Sequence, residues 1–237
     1  MEKKLTAKEN DLLKVFEDAA QIEAQIDKEN QEAETDFFRK KDMFRRALDN
    51  GKLPPAEITY IKERLNLKNA KEDELIDDLL KCLAYATEPT SDSIKLIERF
   101  FGASDEEGTR GAIQALCRIW GLSDRYVDKL MALINYDVFS DVDSNLVFLS
   151  ACDAMARYIY KNKDAKVIGQ FIWQYEENVK EVYAIKEKLE FVNLIERVLI
   201  FGVTGDELNH SVDGFWSITQ QEKQIYIDEI RKYMGKH

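Results

Sequence analysis

Three prolines and ten glycines are all that 237 residues offer for tight turns. A β-sandwich or barrel needs turn chemistry roughly every 8–12 residues. No stretch here alternates apolar and polar residues over a strand's length, so those architectures are excluded. Histidine is nearly missing, with only His210 and His237. The three cysteines, Cys82, Cys117 and Cys152, stand far apart inside apolar helical stretches. A structural zinc site draws four ligands mainly from Cys and His at short spacing, and none is expected. An odd number of isolated thiols suits a reducing compartment better than a disulfide framework. No apolar run reaches the roughly 20 residues of a membrane span. Met1-Glu2-Lys3-Lys4 leads into charged sequence without the apolar core of a secretory leader. These absences predict a cytoplasmic protein without a membrane segment.

What is present is helical. Hydrophobic residues make up 45% and charged residues 33%, which excludes a disordered chain and implies helices with charged outer faces. The net charge of -11 disfavours non-specific binding to phosphate backbones and favours a basic partner surface, besides keeping the chain in solution. Near the N-terminus, Thr6 and Glu9 read as a capping box. A narrow apolar stripe comes next, at Leu12, Val15, Phe16, Ala19, Ile22 and Ile26. It fades from Asp27 to Asp36 and returns at Phe37, Met43, Phe44 and Ala47. Either one long helix crosses solvent at its middle, or two helices meet near Asn30. Asn50-Gly51 and Pro54-Pro55 end this region, so residues 1–52 read as a helical arm or hairpin and residues 53–237 as the main helical domain.

Beyond the arm, helices are expected at about 55–67, 73–86, 92–101, 105–120, 124–136, 144–161, 164–177, 179–201 and 220–234. Ser91-Asp92, Ser123-Asp124 and Asp164 are expected N-caps; Ser104 to Glu107 and Thr219 to Glu222 read as further capping boxes. Gly102, Gly121 and Gly202 lie where helices should stop. A repeat connects these elements. Shifting residues 105–120 by 39 places Ala112, Ala115, Leu116 and Arg118 on Ala151, Ala154, Met155 and Arg157. A further shift of 40 places them near Phe191, Leu194, Ile195 and Arg197.

A period near 40 built from two helices resembles HEAT repeats over roughly residues 73–216, although the proline common in the first helix of such repeats is absent. The resemblance implies an all-α fold of stacked antiparallel helical hairpins, an irregular α-solenoid, with residues 220–234 as a C-terminal cap. The alternative is an irregular helical bundle whose periodicity is coincidental.

Chemistry is sparse. The cysteines read as buried and inert, and His210 with Ser211 and Asp213 reads as ordinary loop polarity, since triads are assembled from separate elements. Asp137, Asp141, Asp143 and Asn145 crowd one loop but lack the central Gly and terminal Glu of a calcium hand. No catalytic residue, cofactor or metal is expected. Arg39, Lys40, Lys41, Arg45 and Arg46 form a basic cluster among Phe37, Phe38 and Phe44, either a solvated helix face or a contact for nucleic acid, membrane or an acidic partner. Glu72, Asp73, Glu74, Asp77 and Asp78 open one helix, where they complement its dipole or line a surface for a basic protein. Arg118, Arg157 and Arg197 recur in register, either pairing between hairpins or lining a binding face. Trp120, Trp173 and Trp216 are interface anchors if exposed and core if buried.

The expected function is therefore a non-catalytic module that grips a protein partner, basic in charge, on a helical-repeat surface; one form is an inhibitor or immunity-type protein. Two rivals remain: a HEAT-like nucleic-acid enzyme such as an alkylated-base DNA glycosylase, and a scaffold that self-associates through its arm. The overall charge argues against nucleic acid, and a basic concavity would argue for it.

Overall fold

The structure, a computed structural model, describes residues 7–102, 105–140, 145–180, 186–205 and 228. Thr6, Ser104, Asp141, Asp143, His210, Trp216 and the expected cap at 220–234 lie outside the described residues. All regular secondary structure among the described residues is helical, with no strand among them. None of their helices is long and apolar enough to cross a membrane.

The first region is one helix, not two. α1 runs from Ala7 to Asn50, and residues 25–35 are exposed on every face. Straight-chain Glu, Gln and Lys favour the helix, and Gln25–Glu29 and Lys28–Glu32 contacts support it locally. Among the described side chains of α1, the C-terminal third is the part that packs, and Met43 and Ala47 there are fully buried. Gly51 (φ 61°) then stops it, donating its N–H to the Ala47 carbonyl. α2 (Pro55–Asn66) starts with a proline in its first turn, where a missing N–H costs nothing.

α3 (Ile76–Ala86) packs against α1 and α2. α4 (Ser91–Glu98) is capped by Thr90, one residue before the expected Ser91-Asp92, through Ser93 N–H. α5 (Glu106–Ile113) is capped by Asp105 through Gly108 N–H and does not continue as one α-helix to Trp120. Residues Gln114–Ile119 form a π turn instead. The expected helix 124–136 is likewise divided into a 3-10 turn at Ser123–Arg125, α6 (Val127–Leu133) and α7 (Tyr136–Ser140). α8 (Asn145–Asn162), α9 (Ala165–Val179, capped by Asp164) and α10 (Lys186–Thr204) complete the described chain.

The inner elements pack in chain order, α1 on α3, α3 on α5, α5 on α8 and α8 on α10, while α6 and α9 flank α8 and α10. Small residues set the approach. A Cβ on Gly111 would fall 2.8 Å from the Asp77 backbone, and one on Gly202 would fall 2.6 Å from Ile159. Gly202, where the sequence alone places a helix stop, lies inside α10 as a packing residue, and Gly205 (φ 74°) ends the helix. Aromatic rings fill the wider gaps, with Phe148 and Phe191 centroids 5.5 Å apart.

Candidate functional site

The two opposite charge clusters near the arm meet each other. Lys40, with a buried side chain, donates to Asp73 at 2.6 Å and pairs with Asp36 at 2.9 Å. Arg64 reaches Asp73 at 3.0 Å, Lys41 reaches Asp78 at 2.7 Å, and Arg46 makes a two-pronged contact with Glu57. Tyr60 donates to Asp36, and Arg39 stacks over the Tyr60 ring. Burial alone would raise the carboxyls of Asp36, Asp73 and Asp78, but the hydrogen bonds and cations around them hold all three below the ordinary value. Asp77, also buried, accepts from Lys81 and Arg110 at 2.8 and 2.7 Å. Of the acidic candidates, Asp73 and Asp77 are thus engaged within the chain, and Glu72 is exposed in a 3-10 turn.

Trp120 is half-buried and donates its indole N–H to the Ala84 and Thr87 carbonyls, satisfying the open C-terminal end of α3. Trp173 is 63% exposed on α9. Trp216 is outside the described residues. Cys82, Cys117 and Cys152 are buried free thiols, and burial pushes Cys82 and Cys117 up to about 12. Among the described residues no group of three or more His, Cys, Asp and Glu could hold a metal ion.

The three register arginines converge. Arg118 from the π turn, Arg157 from α8 and Arg197 from α10 line one groove of about 380 Å³. Its apolar wall is Leu149, Leu194, Val198 and Phe201, and among the described lining residues the one carboxylate is Asp153. Asp153 accepts from Arg157 Nε at 3.1 Å, and the Arg157 guanidinium lies 5.8 Å from the Phe201 ring centroid. Arg118 is exposed and has no carboxylate paired with it among the described residues. A second hollow of about 410 Å³ adjoins the first, sharing Arg118, Arg157 and Phe201 and reaching Tyr160, Lys161 and Asp124. Among the described residues that line it, three arginines stand beside one carboxylate, on a chain of net charge -11.

The π turn sets the position of Arg118. Trp120 N–H bonds to the Ala115 carbonyl and Leu122 N–H to Leu116, each beyond α-helical reach. The extra residue in the turn re-aims the side chains C-terminal to it, a device frequent at functional sites. Asp153 and Phe201 escape a reading based on repeats, yet each stands four residues from a register arginine, and that spacing puts both pairs on one helix face. No family model matches the chain, and neither a curated protein nor a solved structure does so at a significant level.

Proposed function

We propose that this chain is a non-catalytic binding module of HEAT-like helical-repeat type that grips a protein partner on the face shared by the π turn, α8 and α10. The observation that carries the reading is the convergence of Arg118, Arg157 and Arg197, from three successive units, in one groove with an apolar wall. Arginine beside partly exposed apolar side chains is the composition of an interface centre.

The stacked arrangement is supported by how distant hydrogen bonds are spaced. Lys40–Asp73 and Arg110–Asp77 span 33 residues, Gln114–Ser150 spans 36, Lys161–Asp124 spans 37, and Gln174–Ile134 spans 40. The first of these ties the arm to the stack, and each of the others joins residues roughly one unit length apart, as in a solenoid. The charge of the groove shifts the favoured partner from a basic to an acidic surface, because Asp73 and Asp77 are engaged internally while the arginines face the groove. An inhibitor or immunity-type protein remains one form of such a module.

Affinity capture from the native host's lysate tests this, comparing wild type with Arg118→Ala/Arg157→Ala. One protein retained in stoichiometric amount by the wild type, and lost from the variant, is the expected result. Enrichment of DNA or RNA in place of a protein would move the assignment to a nucleic-acid enzyme on the same scaffold. Retention of nothing would end it.

A further inference from the structure

We infer that the groove takes a polypeptide segment carrying aspartate or glutamate beside a large apolar residue; this rests on the binding-module reading above. Three features of the lining select that chemistry together. First, guanidinium edges are open. Arg157 uses its Nε on Asp153, leaving its terminal nitrogens without a partner among the described residues, and Arg118 has no acidic partner there. A planar guanidinium with a free edge matches a carboxylate through two parallel hydrogen bonds. Second, Leu149, Leu194, Val198 and Phe201 present an apolar wall between those cations. Inorganic phosphate or a sugar-phosphate backbone would leave it wet, whereas an apolar side chain covers it. Third, Asp153 stands among the arginines with a side chain 42% exposed and one oxygen still open. A carboxylate there repels a continuous polyanion but accepts a backbone N–H.

Charge complementarity therefore favours an acidic–apolar segment over nucleic acid, and the acidic whole chain adds long-range repulsion of a duplex. The adjoining hollow past Phe201 toward Tyr160, itself 50% exposed, gives the segment room to continue. The Tyr160 and Phe201 rings lie 5.9 Å apart and form a shared aromatic wall between the two hollows.

The test is selection of a random peptide display library on the full chain, followed by anisotropy with the enriched peptide carrying a fluorophore. Enrichment of Asp and Glu next to Leu, Ile, Phe or Trp is expected. Arg157→Ala and Arg118→Ala should each weaken the labelled peptide about tenfold or more, while Arg45→Ala, on the exposed face of α1, leaves it unchanged. Single-stranded DNA of equal charge should fail to displace it. Enrichment of basic or uncharged peptides, no enrichment, unchanged affinity in both groove variants, or displacement by DNA below the peptide's own concentration each overturns the inference. Failure here alone, with a lysate protein still captured by wild type and lost from the groove variant, removes the ligand class but leaves the binding module. Failure of both experiments removes the module as well.

Discussion

A missing Cβ decides how closely two elements approach at Gly111 and Gly202, and the two sites differ in what stands opposite. At Gly111 the obstacle is the Asp77 backbone at 2.8 Å, which cannot rotate away. At Gly202 it is the Ile159 side chain at 2.6 Å, branched and rigid inside the α8–α10 contact. Gly111→Ala and Gly202→Ala should each lower stability by about 1–3 kcal/mol in urea titrations, against a gain of about 1 kcal/mol expected for alanine in an open helix. An unchanged midpoint would mean that the packed elements separate easily at these points. Trp120 works in the opposite sense, adding a donor where one is needed. Trp120→Phe keeps an aromatic ring but removes the indole N–H from the Ala84 and Thr87 carbonyls, and should cost about 1–2 kcal/mol in the same assay.

At the level of elements, the root of α1 is held by charge as well as by Met43 and Ala47. Lys40 and Asp73 are both buried, whereas Lys41 is about half exposed. Lys40→Met should therefore lower stability by about 2–3 kcal/mol, because the buried Asp73 carboxylate then keeps only Arg64 and the Leu75 N–H. Lys41→Ala should cost under about 1 kcal/mol, because solvent screens its pair. The same root predicts acid sensitivity. Asp36, Asp73 and Asp78 titrate below the ordinary 3.8 in the folded chain, so the stability they add is complete above that value. It is lost as pH falls through their lowered values. Urea midpoints should stay level from pH 7 to about 5 and drop below about pH 4, less steeply in Asp73→Asn. An equally steep fall in that variant would place the acid sensitivity elsewhere.

For the whole molecule, stability and binding should separate. The groove arginines lie at the surface, so Arg118→Ala and Arg157→Ala should each unfold within about 1 kcal/mol of wild type while losing the captured partner. Partner binding should also weaken from about 50 to about 300 mM salt, since the contacts are between ions near solvent. A salt-insensitive complex would mean that the apolar wall, not the arginines, holds the partner.

The sequence by itself determined that the chain is helical, where most helices lie, and that Arg118, Arg157 and Arg197 recur in register, because these come from apolar periodicity and local chemistry. Helix ends were legible where one residue acts alone, as at Asp164 and Gly51. The π turn was not, since it answers to packing around Ala115 and Leu116 and leaves the 3.6-residue pattern nearly intact. Only the tertiary structure decided that the basic cluster on α1 meets the acidic cluster before α3, since that pairing depends on which faces two distant segments turn toward each other. It likewise decided that Gly202 packs inside α10 and that the three arginines share one groove. A period of 39 or 40 places side chains on equivalent positions of the π turn, α8 and α10, but the packing of those elements, with Gly202 letting α10 approach α8 at Ile159, is what makes the positions neighbours.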